Sequence, residues 1–148
     1  MTSRLPTRED FVESPGCPDQ RCAWQQFGGL TLDEAKMRFA ERPDLRQEDF
    51  MFMGRRAFLY YFPVIEDHLY GPPGCDGEYE WEAWILAMAI ESQYFDREEV
   101  SLPSLTAKIL ELADFVVENV ERLESWPEHR PKIVEAWTKL ADRIKATR

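Results

Sequence analysis

The chain has 148 residues and a mass of 17.4 kDa, and 18 Lys and Arg residues against 28 Asp and Glu residues give it a formal charge of −10. This length and a hydrophobic fraction of 44% predict a single folded domain with a real core, and they argue against a disordered chain. The acidic surplus argues against nucleic acid and anionic membranes as partners, because both are bound through Lys and Arg, and it favours a basic protein.

The first 16 residues carry charges of both signs and no apolar run, so we expect neither a secretory signal nor a transit peptide. The longest apolar stretch, residues 83–90, is much shorter than the ~20 residues that a membrane span requires. These features predict a cytoplasmic protein.

Residues 1–29 are rich in Pro, Gly and polar residues without sustained periodicity, which predicts an irregular arm anchored by Phe11, Trp24 and Phe27. The rest of the chain, residues 30–148, is predicted to form a helical bundle. A capping-box pattern at Thr31 and Glu34 predicts the start of its first helix, which should end before Pro43.

The three cysteines, Cys17, Cys22 and Cys75, are odd in number and argue against a disulfide scaffold. Together with His68 they would make a Cys3His zinc set, but the four ligands come from three separate segments. We therefore interpret the cysteines as reduced thiols and predict no metal and no other cofactor.

Residues 48–54 are apolar and end in Gly, so they fit either a turn of helix or a short extended piece. The spacing of apolar residues predicts a largely buried helix over residues 55–70, with a kink or a restart at Pro63. The Pro- and Gly-rich residues 71–77 cannot continue a helix and predict a surface loop.

Residues 78–95 predict a helix that is apolar almost all round and therefore lies in the middle of the bundle. Residues 105–123 carry the clearest helical stripe, and Pro127 ends it. A last helix begins near Pro131, and the short link predicts an antiparallel hairpin. The predicted acidic side of the first of these two helices comprises Glu111, Asp114, Glu118 and Glu121. The fold class that follows is all-α, a compact bundle of about five helices with an irregular N-terminal arm.

Residues 48–64 read Glu-Asp-Phe-Met-Phe-Met-Gly-Arg-Arg-Ala-Phe-Leu-Tyr-Tyr-Phe-Pro-Val, and this segment resembles a motif of small uncharacterised bacterial helical proteins. The resemblance implies a bacterial origin and a shared helical core, and it carries no catalytic role. The positions on which it rests are Gly54, Ala57, Phe58, Tyr60, Tyr61 and Pro63.

The best acid–base candidates lie around Pro63, where Glu66 and His68 are near Tyr60 and Tyr61 in sequence. A carboxylate close to an imidazole can bring the pKa of His68 towards neutrality, which suits proton transfer. His68 lies on the apolar face of its helix, however, so a buried structural histidine is the simpler interpretation. Arg55 and Arg56 either hold a ligand carboxylate or pair locally with an acidic residue such as Glu48 or Asp49.

An acidic and aromatic segment follows the predicted loop. Acidic residues at a helix start are stabilised by its dipole, but the same residues can steer a basic partner, with the aromatic rings as anchors. The residues of this predicted partner-binding segment are Asp76, Glu78, Tyr79, Glu80, Trp81 and Glu82.

Three hypotheses follow from the sequence. The leading one is a non-enzymatic acidic protein-binding module, in the form of an immunity protein or antitoxin that masks a basic toxin surface. The second is a small-molecule enzyme or sensor with a pocket near Tyr60, Tyr61 and His68. The third is a structural or homo-oligomeric subunit, of which a homodimer is the simplest case.

Overall fold

The computed structural model of the protein describes residues 4–12, 17–71, 82–95, 103–124 and 126–146. In these ranges the regular structure is helical throughout and contains no strand, which confirms the all-α class. The α-helices are α1 (Arg8–Phe11), α2 (Pro18–Phe27), α3 (Leu32–Glu41), α4 (Pro43–Arg46), α5 (Asp49–Phe52), α6 (Arg55–Tyr70), α7 (Glu82–Phe95), α8 (Pro103–Glu118), α9 (Val120–Leu123) and α10 (Arg130–Ala146). A 3₁₀ turn, Pro127–His129, precedes α10.

The prediction of about five helices is an undercount, because the described residues contain ten α-helical segments. Four of them, α1, α4, α5 and α9, have only four residues each. A single turn is too short to show a 3.6-residue periodicity, and it is stable only when neighbouring elements hold it.

The prediction of an irregular arm over residues 1–29 is wrong, since α2 occupies ten of these residues. Pro18 stands at the first position of α2, where its missing N–H costs nothing, and Gly29 adopts φ +78° just after the helix. Proline and glycine therefore mark the two ends of a helix. The predicted anchors Phe11 and Phe27 are fully buried.

The capping box at the start of α3 is present as predicted. The Thr31 backbone N–H donates to Glu34 Oε1 at 2.9 Å, and the Glu34 N–H donates to Thr31 Oγ1 at 3.2 Å. The helix ends at Glu41, before Pro43.

Helix α6 has the predicted bounds and runs through Pro63 without the restart that the sequence suggested. Leu59 is 36% exposed and Pro63 is half-buried, so the carbonyl that loses its donor lies on the outer side, where water can bind it. At its start, α6 needs Gly54 because a Cβ there would overlap the Asp10 carbonyl oxygen of α1. The Gly54 N–H donates to the Phe11 carbonyl at 2.8 Å, which fixes α1 on α6.

The helix predicted over residues 105–123 is broken into α8 and α9 at Asn119. Asn119 Nδ2 donates to the Phe115 carbonyl oxygen at 2.8 Å, and the backbone at Asn119 adopts φ −116° and ψ 20°. The Asn119 backbone N–H also donates to the Phe115 carbonyl, at 2.9 Å, and the apolar stripe continues on both sides of the break. Periodicity alone does not reveal it.

Helix α7 packs against α5, α6 and α10, in keeping with its predicted central position. The Trp137 indole N–H of α10 donates to the Ala83 carbonyl of α7 at 2.7 Å. Two cations of α10 cover aromatic rings of α7: the Lys132 ammonium lies 4.4 Å from the ring centre of Trp84, and the Arg143 guanidinium lies 4.0 Å from that of Phe95. Among the described helices, none combines the length and the apolar character that crossing a membrane demands.

Candidate functional site

The predicted partner-binding segment lies outside the described residues, except that Glu82 is the first residue of α7. The structure does describe the point at which the chain enters this segment. Arg122 Nη1 of α9 donates to the Gly71 carbonyl oxygen at 3.0 Å, so the end of α6 is tied to the α8–α9 region. Asp76 follows Gly71 by only five residues in sequence.

An acidic surface lies beside this exit point, on the outward side of α8. Its carboxylates, Glu111, Asp114 and Glu118, are all exposed, as the sequence predicted, and so is Glu121 of α9. Among them Tyr70, which is 39% exposed, packs edge to face on Phe115 with ring centres 4.7 Å apart. We call Glu111, Asp114, Glu118, Tyr70 and Phe115 the acidic face.

Aromatic packing and a neighbouring cation, Arg122, hold the aromatic part of the acidic face in place. Phe115 stands one helical turn from both Glu111 and Glu118, and the Arg122 guanidinium lies 5.3 Å from the Phe115 ring centre. Burial raises the pKa of Tyr70, and the charges of Glu111 and Glu66 raise it further. The Tyr70 hydroxyl is therefore a neutral hydrogen-bonding group within a negative field.

His68, the predicted acid–base candidate, is a packed side chain. Its ring meets Phe39 of α3 edge to face with centres 4.9 Å apart, and burial lowers the pKa of His68 to about 4. The imidazole is therefore neutral at physiological pH. Glu66, two residues away, is only half-buried, and its pKa is raised mainly by burial.

Tyr61, the second member of this predicted site, serves the fold. The Tyr61 hydroxyl can donate to two carbonyl oxygens: that of Leu30, at 2.7 Å, and that of Phe27, the last residue of α2, at 3.0 Å. Burial raises the pKa of Tyr61 well above its ordinary value. The ring of Tyr60 packs edge to face on Tyr61 with centres 4.9 Å apart.

Arg55 and Gln93 form a buried polar contact that sequence reasoning missed. Arg55 Nη2 donates to the Gln93 carbonyl oxygen at 2.9 Å, and Gln93 Nε2 donates to the carbonyl oxygens of Met53 at 2.6 Å and Phe50 at 3.0 Å. The partners are about 40 residues apart in sequence, so no local pattern connects them. The one available signal is a Gln within an otherwise apolar helix.

A second missed contact joins His129 to Glu124 in the turn before α10. His129 Nδ1 lies 2.7 Å from Glu124 Oε1, and Glu124 is only 3% exposed. Arg130 Nε donates to the Glu124 carbonyl at 2.8 Å, and the Trp126 ring stacks over His129 with centres 6.1 Å apart. These contacts order the α9–α10 connection.

The outward side of α10 borders an open groove with a volume of about 960 Å³, which we call the α10 groove. Its lining combines charged side chains with five apolar residues, Val120, Pro127, Pro131, Val134 and Ala146. Sequence reasoning missed it, because an outward helix face is ordinarily assigned to solvent.

The described residues contain no group of three or more His, Cys, Asp or Glu side chains arranged to hold a metal ion. Cys17 caps the start of α2, and Cys22 is exposed on that helix. Cys75, the third cysteine of the zinc alternative, lies outside the described ranges.

Comparisons with protein-family models, with curated proteins and with solved structures find no match for this chain. The resemblance of residues 48–64 to small bacterial helical proteins therefore stays a prediction.

Proposed function

We propose that this protein is a non-enzymatic, acidic protein-binding module whose partner is a basic protein. The observation that carries the proposal is the acidic face, in which three exposed carboxylates of one helix lie beside Phe115, the residue on which the exposed Tyr70 packs. Long-range attraction between opposite charges accelerates association, and an aromatic side chain packed at the centre of an interface slows dissociation. The acidic face offers both elements.

The chain as a whole supports the same partner chemistry. Its charge of −10 disfavours anionic partners. Arg122 fixes Gly71 beside the acidic face, and Gly71 precedes residues 76–82 in sequence by only a few positions. We propose that Asp76, Glu78, Tyr79, Glu80, Trp81 and Glu82 belong to the same binding surface.

The specific form of the proposal is an immunity protein or antitoxin in a bacterial cytoplasm, which binds a toxin and masks its basic active surface. The enzyme or sensor alternative has less support. The Tyr61 hydroxyl is engaged by two backbone carbonyls, and the His68 ring is packed against Phe39.

The test is affinity capture of the tagged chain from a lysate of the organism that encodes it, followed by binding kinetics with the protein recovered. Replacing Glu111, Asp114 and Glu118 by Gln, Asn and Gln should slow association about tenfold at low salt and much less at high salt, because screening shortens the reach of charges. Tyr70→Ala should mainly speed dissociation, by about tenfold or more.

Matched controls separate local from general effects. Neutralising Asp19, Asp33 and Glu41, which are exposed on α2 and α3, changes the net charge by the same amount and should leave association within about twofold. Met37→Ala removes another exposed apolar side chain, which is 68% exposed, and should leave dissociation unchanged. Recovery of no basic protein in stoichiometric amount, or equal effects of both triple variants, would contradict the proposal. The Glu78→Gln, Glu80→Gln and Glu82→Gln variant tests the predicted segment separately.

A further inference from the structure

The α10 groove lies on the side of α10 that a monomer would ordinarily give to charged residues. The inward stripe of α10, Ile133, Trp137, Leu140 and Ile144, is completely buried. The outward side carries charged residues, but it also adds apolar surface to the groove through Pro131, Val134 and Ala146. A small ligand requires a site that encloses most of its surface, which an open groove does not provide. An open groove along the side of a helix can instead receive another helix.

The charges around the α10 groove favour a second copy of this chain as the occupant. They are balanced, with three acidic and three basic side chains, on a molecule that carries −10. A strongly basic or strongly acidic partner gains no net attraction here, and two copies can meet at this groove with less repulsion than at the acidic face. The six charged residues are Glu121, Glu135, Asp142, Arg130, Lys139 and Arg143.

Two of these side chains have the spacing for pairing across a twofold axis. Glu135 and Lys139 are one helical turn apart on the same side of α10, and both are exposed. Glu135 forms no ion pair within the described ranges, and the Lys139 side chain is 65% exposed, with Nζ 4.0 Å from Glu91 Oε1. A twofold axis level with residue 137 sets Glu135 of each copy opposite Lys139 of the other.

We propose that the α10 groove is the interface of a homodimer in which the α10 helices of the two copies lie antiparallel, with two symmetric Glu135–Lys139 pairs at its rim. Val134 and Thr138, which both line the groove, pack at the centre. This interface is separate from the acidic face and does not depend on the proposed function.

Sedimentation equilibrium of the full chain over a range of concentrations tests the proposal. The wild-type protein should show a monomer–dimer equilibrium. Glu135→Lys and Lys139→Glu should each weaken the dimer about tenfold or more, because each sets like charges opposite one another twice. The double variant Glu135→Lys/Lys139→Glu restores opposite charges and should return the dissociation constant to within about threefold of wild type.

Controls of the same charge change lie outside the groove. Glu41→Lys, which is exposed on α3, matches Glu135→Lys, and Lys145→Glu, which is exposed on α10, matches Lys139→Glu. Neither should shift the dissociation constant more than about threefold. Thr138→Arg places a bulky cation at the centre of the groove at an exposed position, so it should abolish the dimer while circular dichroism stays unchanged. A wild-type chain that is monomeric at every concentration, or a double variant no tighter than the single ones, would overturn the proposal.

Discussion

A single tyrosine hydroxyl joins the N-terminal part of the chain to α6. Tyr61→Phe leaves the Leu30 carbonyl without this donor, whereas the Phe27 carbonyl keeps the Leu30 N–H at 3.1 Å. We expect the variant to lower the free energy of unfolding by about 1–3 kcal/mol, the usual cost of an unsatisfied buried polar group. Urea denaturation measures this loss. Tyr60→Phe, which removes the neighbouring half-buried hydroxyl, should cost less than about 0.5 kcal/mol, and equal losses would contradict the assignment.

The same residue shows what the sequence predicts at the scale of one side chain. Apolar spacing predicts that Ala57, Tyr61, Val64 and His68 share a face; the first three are buried and His68 is half-buried. The spacing could not predict the function of a polar tip on that face. The sequence presents Tyr61 as a candidate for chemistry. The carbonyls to which its hydroxyl donates lie 31 and 34 positions earlier in the chain, so no local pattern predicts this contact.

At the scale of elements, Gln93 holds the one-turn helix α5 against α7. Gln93→Leu removes the donor from the Met53 and Phe50 carbonyls inside the core, and we expect a loss of about 2–4 kcal/mol for two buried acceptors. A four-residue helix cannot persist alone, so hydrogen exchange of the α5 amides should accelerate more than that of α10. Ser92→Ala, at the adjacent half-buried position, is the control and should leave both measurements near wild type.

Long periodic helices were predictable, and short or interrupted ones were not. The bounds of α6 and the end of α7 at Phe95 agree with the apolar spacing. Helices α4 and α5 depend on neighbours that local sequence does not reveal, and the break at Asn119 interrupts an apolar stripe that continues on both sides of it. Where the helix preference of the local sequence is weak, tertiary contacts therefore determine whether a helix forms.

At the scale of the whole molecule, charge patterning was predictable and surface assembly was not. The exposed carboxylates of α8 follow from the helical stripe alone. The packing of Tyr70 on Phe115 joins α6 to α8, and the α10 groove combines α9, the 3₁₀ turn and α10. Each of these surfaces exists only after the helices have packed, so spacing along one helix cannot reveal it.

Two half-buried ionisable groups should act on stability in opposite directions. Burial lowers the pKa of His68 from 6.5 to about 4, so unfolding takes up a proton in this interval and stability falls as the pH falls from 6.5 to 4. Asp49 Oδ2 is buried without a hydrogen-bond partner in the described ranges. Burial raises the pKa of Asp49 from 3.8 to about 6 against the opposing charge of Arg46, so unfolding releases a proton and stability falls as the pH rises from 3.8 to 6.

The two effects overlap between pH 4 and 6, where the uptake at His68 and the release at Asp49 nearly cancel. Substituting either residue alone should reveal the pH dependence that the other residue causes. His68→Leu should make stability decline with rising pH across this interval, and Asp49→Asn should make it decline with falling pH, each by about 2–3 kcal/mol relative to wild type. The double variant should regain the wild-type slope. Urea denaturation at several pH values measures the slope of stability against pH for the wild type and the three variants. A loss of packing shifts the whole curve of stability against pH without changing its slope. The remaining carboxylates contribute equally to all four proteins. Four coincident slopes would show that His68 and Asp49 titrate alike in the folded and unfolded states.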